Sequence, residues 1–149
     1  LKMPFVARWP GRIQAGTRVE HMIQNIDYAP TFLDVAGLPI PEEVQGESLL
    51  PLMAGRDPGD WRDSIYYHYY EFPAVHMVAR HYGVRTERFK LIHYYETGEW
   101  ELFDLERDPR ELRNVFDDPG FEAIQAELKA ELIRLRTLYR DESGVSPVV

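Results

Sequence analysis

Cysteine is absent from the 149-residue sequence. Its absence excludes a disulfide scaffold, an iron–sulfur cluster, a cysteine-ligated zinc site and a cysteine nucleophile. It does not fix the compartment, since many exported proteins also lack cysteine. No apolar run approaches the roughly 20 residues that a membrane helix needs, so we expect no contact with a membrane. Positive charge is scarce too: 17 Lys and Arg stand against 25 Asp and Glu, a net charge of −8, which argues against a nucleic-acid partner.

Familiar catalytic and cofactor motifs are also absent. The sequence holds no G-x-x-x-x-G-K-[ST], no G-x-G-x-x-G, no H-E-x-x-H and no G-x-S-x-G. The acidic run at residues 104–108 has the charge of a calcium loop but not the D-x-[DN]-x-[DN]-G order, and Pro109 follows it. We interpret this run as a solvated turn after a strand.

The first 63 residues alternate short apolar segments with Pro and Gly. Residues 5–9 predict a strand, and residues 48–54 predict one or two helical turns. Asp27 is predicted to cap a helix over residues 28–36, with Gly37 just after its end. A buried acid that orients a site is the other interpretation of Asp27, but the capping preference explains the residue without it.

The rest of the chain predicts an antiparallel sheet followed by a helix. Four segments rich in aromatic and β-branched residues, joined by short turns, favour strands at residues 64–70, 84–86, 90–95 and 100–105. Residues 119–140 place apolar side chains at steps of three and four on one helix face: Phe121, Ile124, Leu128, Leu132, Leu135 and Tyr139. The predicted fold class is therefore α+β, a four-stranded antiparallel sheet packed against a long C-terminal helix. The tail at residues 143–149 is expected to fray.

Cationic and aromatic side chains concentrate in residues 66–95, which hold four of the five histidines. Arg side chains match sulfate or carboxylate oxygens, His exchanges protons near neutral pH, and aromatic rings stack on sugars. We therefore predict substrate contacts from His76, Arg80 and His81, with Arg85 behind them. The structural alternative is that the tyrosines fill the core between sheet and helix while the basic residues line the wet face of the sheet.

A zinc site built from His76, His81 and His93 is a further interpretation of the same window. Their spacing matches no standard zinc motif, so we expect no metal ligand in this chain.

Five segments in register resemble a known family. They are MPFVARWPG at 3–11, NIDYAPTFLDVAG at 25–37, QGESLLPL at 45–52, GVRTERFKLI at 83–92 and ELFDLERDPRE at 101–111. In order and spacing they resemble the C-terminal part of a type I, formylglycine-dependent sulfatase of the alkaline phosphatase superfamily. The run YHYYE at 67–71, followed by His76 and His81, resembles the bacterial branch that acts on sulfated glycans, which includes N-acetylglucosamine-6-sulfatase-like enzymes.

This resemblance implies hydrolysis of sulfate esters by a formylglycine, made from Cys or Ser in a C/S-x-P-S-R motif, and by a calcium ion. Neither that motif nor any Pro-Ser-Arg occurs here, and the family's metal ligands precede the matched segments, so no catalytic or metal-binding residue is assigned. The resemblance implies that residues 1–63 are the C-terminal end of the α/β catalytic domain, its last strand–helix segment. Residues 64–142 would be a C-terminal subdomain over the substrate cleft.

The resulting hypothesis is a C-terminal fragment of a sulfatase that contributes to the cleft and is inactive alone. Its expected partners are a sulfated carbohydrate and the N-terminal catalytic domain, and the family implies a periplasmic or secreted parent. Two alternatives remain at this point: a non-enzymatic module that binds sulfated sugar, and a structural or dimerising module. Exposed strand edges and apolar surface are expected to permit self-association.

Overall fold

The computed structural model describes residues 3–143. The chain divides into two compact units, an N-terminal unit that ends at Arg62 and a C-terminal unit that begins at Asp63. The predicted frayed tail at residues 143–149 lies, apart from Ser143, outside the described residues. No helix within the described part is long and apolar enough to cross a bilayer.

Two short helices organise the N-terminal unit, α1 (Tyr28–Val35) and α2 (Leu50–Met53). Both lie where the sequence predicts helix. Gly37 follows α1 with a φ of 69°, the left-handed conformation that glycine adopts without a Cβ clash. The strand predicted over residues 5–9 is wrong for the described structure, because these residues form no ladder with another strand. A strand requires a hydrogen-bonded neighbour, which side-chain pattern alone does not supply.

Asp27 occupies the predicted N-cap position of α1, but its buried side chain bonds other segments of the N-terminal unit. It ends a short 3-10 turn before α1, and its side chain makes no capping hydrogen bond to that helix. Its carboxylate accepts hydrogen bonds from the two terminal guanidinium nitrogens of Arg62 at 2.6 and 2.8 Å. It also accepts hydrogen bonds from the backbone N–H groups of Gln24 and Glu47 at 2.7 and 2.9 Å. With 0% of Asp27 exposed, these four bonds join three distant segments of the unit.

The C-terminal unit contains four strands, β1 (Ser64–Tyr69), β2 (His81–Thr86), β3 (Phe89–Tyr94) and β4 (Glu99–Asp104). They lie in the order β1-β2-β3-β4, and each is antiparallel to the next. The predicted antiparallel sheet is thus confirmed. β2 begins three residues before the predicted position because His81 pairs with Tyr69 of β1.

The helix α3 (Glu122–Leu138) covers one face of the sheet. Its buried leucines, Leu128, Leu132 and Leu135, contact Tyr82, Val84, Leu91 and Leu102 of the strands in one core. The predicted apolar stripe and the α+β class are therefore confirmed. Successive strand residues point to opposite faces of a sheet, so His93 shares the helix-covered face with this core, while His81 and Arg85 lie on the other face.

Candidate functional site

Arg80 holds together the loop at residues 70–80, which connects β1 to β2. Its Nε donates to the carbonyl of Tyr70 at 2.9 Å, and one terminal nitrogen donates to the carbonyl of Phe72. The other terminal nitrogen pairs with Glu96 at 2.8 Å. Three of its five N–H groups are therefore committed to the fold of the loop, so Arg80 shapes the candidate site more than it reaches out of it.

His81 is seated among tyrosine rings on the face of the sheet away from α3. Its ring stacks on Tyr69 with centroids 5.3 Å apart and contacts Tyr67 and Tyr94 at 5.8 and 5.1 Å. Its Nδ1 donates to the carbonyl of Ala79 at 2.8 Å. This bond fixes the ring orientation, and within residues 3–143 Nε2 has no hydrogen-bond partner.

Among the described residues, His76 and Arg85 also have uncommitted polar groups. His76 lies in the exposed part of the loop beside Val75, which is 95% exposed. Arg85 stands on β2 opposite Lys90, which pairs with Glu111, and the described residues offer the Arg85 guanidinium no ion pair. Arg85 lies on the same face as His81 but roughly 13 Å along the strand, at about 3.3 Å per residue. The four predicted residues therefore do not converge on one point.

A second polar cluster, the His68–Asp141 cluster, was not predicted. Nδ1 of His68 lies 2.7 Å from the carboxylate of Asp141, with side chains only 3% and 10% exposed. The Tyr66 hydroxyl donates to the same carboxylate, and the Tyr95 hydroxyl lies 3.3 Å from Nε2 of His68. Tyr70 stacks on the His68 ring at 3.7 Å. The only sequence signal was the aromatic density of β1, because Asp141 lies 73 residues away.

His93 belongs to the core rather than to a metal site. Its ring stacks on Trp100 at 4.0 Å, and its Nδ1 bonds the Tyr82 hydroxyl at 2.9 Å. It faces α3, whereas His81 faces away, so the two cannot share an ion. Among residues 3–143, no three His, Asp or Glu side chains are arranged to hold a metal.

Burial lowers the pKa of His93 to about 4, and the positive charges of Arg136 and Lys129 add to this effect. In the unfolded chain His93 has its ordinary pKa of about 6.5. Between about pH 6.5 and 4 the unfolded form therefore binds more protons than the folded form does. We therefore expect the free energy of unfolding to fall through this window as pH falls, by up to about 1.4 kcal/mol per pH unit. Urea unfolding measured across pH 4–7 tests this.

His93→Gln should flatten that pH dependence, because Gln does not titrate. His76→Gln is the matched control, since His76 is exposed and its replacement should leave the slope unchanged. Equal slopes in the wild-type chain and His93→Gln would contradict the assignment.

Comparison with known proteins decides the family. The model described as "N-sulphoglucosamine sulphohydrolase, C-terminal" matches residues 1–138. The chain belongs to this sulfatase family. The resemblance inferred from the five sequence segments is thereby confirmed.

Relatives of this sulfatase domain act on sulfated sugars. N-acetylglucosamine-6-O-sulfatase of Bacteroides thetaiotaomicron is 46% identical over 143 residues, which cover 94% of this chain and 26% of the relative. Delta 4,5-hexuronate-2-O-sulfatase of the same organism is 32% identical, over 94% of this chain and 29% of the relative. The chain thus spans about a quarter of the length of these relatives.

Solved structures show the same fold. A protein in complex with its substrate D-glucosamine-2-N,6-O-disulfate matches with a TM-score of 0.88 and 45% identity, over 92% of this chain and 28% of that one. The phosphonate monoester hydrolase of Silicibacter pomeroyi matches with a TM-score of 0.77 and 30% identity, over 91% of this chain and 29% of that one. The same fold therefore also occurs in an enzyme named for phosphonate hydrolysis, so the fold alone does not determine the substrate class.

The residues of this sulfatase domain do not fit the formylglycine or the calcium ion that the family uses in the complete enzyme. The chain has no cysteine and no C/S-x-P-S-R motif from which formylglycine could be made. Its described acidic side chains do not gather into a ligand set either. We therefore assign no step of hydrolysis to groups held by these residues.

Proposed function

We propose that this chain is the C-terminal part of a sulfatase that hydrolyses sulfate esters of glycans, and that it supplies side chains to the substrate cleft without being active alone. The observation that carries the proposal is the match over 94% of the chain to an N-acetylglucosamine-6-O-sulfatase that is about four times longer. A sulfated glucosamine unit is the substrate class this similarity favours.

The roles proposed for the four predicted residues depend on which of their polar groups have no bonding partner among the described residues. Arg85 offers an uncommitted guanidinium among the described residues, and such a group binds sulfate oxygens through charge-assisted hydrogen bonds. His76 offers an exposed imidazole at the tip of the loop, and His81 offers Nε2 from a ring of fixed orientation. Arg80 contributes by holding the loop that carries His76.

Apolar surface in the N-terminal unit supports the view that more polypeptide contacts it. A cleft of about 480 Å³ there is lined by side chains that include Phe5, Val6, Leu52 and Met53. Val6 is almost completely exposed. Contiguous exposed apolar surface marks an interaction site, and a catalytic domain on the same polypeptide is the partner we propose.

The test is sulfate release by the polypeptide of the complete open reading frame, produced with formylglycine maturation. The substrates are 6-O-sulfated N-acetylglucosamine and D-glucosamine-2-N,6-O-disulfate. Arg85→Ala and His76→Ala are expected to lower kcat/KM about tenfold or more, because a hydrogen bond to a charged group contributes about 1.5–3 kcal/mol.

Arg110→Ala is the matched control for Arg85→Ala, since Arg110 is an exposed arginine of the same unit. It should leave kcat/KM unchanged. The isolated chain should release no sulfate. Sulfate release by the isolated chain, or wild-type values for both Arg85→Ala and His76→Ala, would refute the proposal.

A further inference from the structure

The loop at residues 70–80 is tied to the sheet at its first residue. Arg80 donates to the carbonyls of Tyr70 and Phe72 from the far end of the loop. The position of Tyr70 therefore sets the position of Arg80 at the other end of the loop. Through these two ends it also sets the position of His76 between them. The side chain of Tyr70 is more than half exposed, so few neighbouring residues can hold it in place.

The His68 ring is the support for Tyr70. The two rings stack at 3.7 Å with an angle of 19° between their planes. His68 is itself almost completely buried, with the edges of Tyr82 and Tyr95 at 5.5 and 5.4 Å. A buried and enclosed ring is a rigid base for an exposed one, so the position of Tyr70 follows that of His68.

Asp141 in turn fixes His68. Besides His68, the carboxylate accepts hydrogen bonds from the Tyr66 hydroxyl and from the backbone N–H and hydroxyl of Ser143. The Tyr70 hydroxyl also donates to it, at the long distance of 3.5 Å. Burial opposes ionisation of Asp141, but these hydrogen bonds outweigh it and hold its pKa well below the usual range. Arg136 donates to the backbone carbonyl of Asp141 at 3.2 Å, so the residue is anchored through its main chain as well.

We propose that His68 and Asp141 are positioning residues, which hold Tyr70 and through it the loop that presents His76 to a sulfated sugar. The inference rests on the proposed function for the role of His76, and it adds residues that do not themselves touch the sugar. The alternative is a purely structural cluster that fixes the segment after α3 to β1 and leaves the loop unaffected.

Asp141→Asn tests the proposal in the polypeptide of the complete reading frame, with D-glucosamine-2-N,6-O-disulfate as the substrate. We expect KM to rise on the order of tenfold, because a displaced His76 loses its hydrogen bond to the sulfate group, and loss of a hydrogen bond to a charged group weakens binding about tenfold or more. kcat should change by less than about twofold, since a loop that only binds substrate contributes equally to ground and transition states. Asp141→Glu should recover part of the loss.

Tyr70 variants separate positioning from general stabilisation. Tyr70→Phe keeps the ring stacked on His68 and loses only the long hydrogen bond to Asp141, so it should raise KM less than Tyr70→Ala does. Tyr70→Ala removes the stacked ring and should raise KM as Asp141→Asn does. Asp118→Asn is the matched control, because it breaks an exposed ion pair with Arg113 in the same unit. A rise in KM for Asp118→Asn, or none for Tyr70→Ala, would overturn the proposal.

Amide hydrogen exchange provides a readout that does not depend on activity. Asp141→Asn should increase exchange at residues 71–80, whereas a structural cluster would increase it only at residues 139–143 and in β1. Unchanged exchange at 71–80 would refute the positioning role even in an active enzyme. If the wild-type enzyme released no sulfate but Asp141→Asn still increased exchange at residues 71–80, the proposed function would be refuted and the positioning of the loop would stand.

Discussion

Asp27→Asn should destabilise the chain by about 3–5 kcal/mol, the usual cost of removing one partner from a buried ion pair. The substitution leaves the Arg62 guanidinium, which is mostly buried, without its counter-charge. It also places an amide NH₂ where one carboxylate oxygen accepted a backbone N–H, either that of Gln24 or that of Glu47. Urea unfolding followed by tryptophan fluorescence measures the loss, since Trp61 donates to the carbonyl of Met22 in the same unit.

Asp60→Asn is the control, because Asp60 is an exposed carboxylate in the same unit and surface substitutions change stability by about 0.5 kcal/mol or less. Arg62→Met completes a double-mutant cycle. The double variant should be less destabilised than the sum of the two single variants, because residues in direct contact are coupled. Equal midpoints for Asp27→Asn and Asp60→Asn would contradict the role assigned to Asp27.

Local sequence patterns were sufficient to predict the sheet and the helix of the C-terminal unit. Aromatic and β-branched residues in short segments, joined by tight turns, specify adjacent antiparallel strands without distant information. The three-and-four spacing of Leu128, Leu132 and Leu135 specifies the face of α3 that is buried. Sheet and helix each need an apolar partner, so their packing against one another followed from the two patterns together.

Long-range pairs could not be predicted from the sequence. Asp27 satisfied the local rule for a helix cap, and nothing nearby indicates Arg62, which lies 35 residues away. The partner of His68 is as remote. Arg136 lies outside the predicted apolar stripe of α3, yet it is buried with its guanidinium 4.2 Å from the centroid of the Tyr82 ring. A long side chain can bury its stem and rest its charge on an aromatic face, which periodicity does not reveal.

The same limit, that long-range contacts are not visible in the sequence, applies to the predicted site residues. Residue type indicates which side chains can bind an anion, but not which of them the fold leaves free. Arg80 is committed to backbone carbonyls and to Glu96, and these contacts depend on the path of the loop. His81 precedes the strand predicted at residues 84–86 but lies in β2, because pairing with Tyr69 extends that strand. Arg85 and His76 keep the availability that their residue types suggested.

Leu132→Ala should destabilise the C-terminal unit by about 2–5 kcal/mol, the range for truncation of a fully buried leucine. Leu132 is 0% exposed and lies at the centre of the helix stripe that contacts the sheet. Alanine is the strongest helix former, so the loss reflects the cavity and the lost burial rather than damage to α3. The measurement is the change in unfolding free energy from urea titration.

Leu138→Ala is the matched control on the same helix. Leu138 is 56% exposed, so the same chemical change there should cost less than about 0.5 kcal/mol. The difference between the two variants isolates packing of α3 on the sheet from any effect on the helix alone. If Leu132→Ala and Leu138→Ala unfolded at the same urea concentration, the buried stripe would not stabilise the unit, and the assignment of sheet and helix to one core would fail.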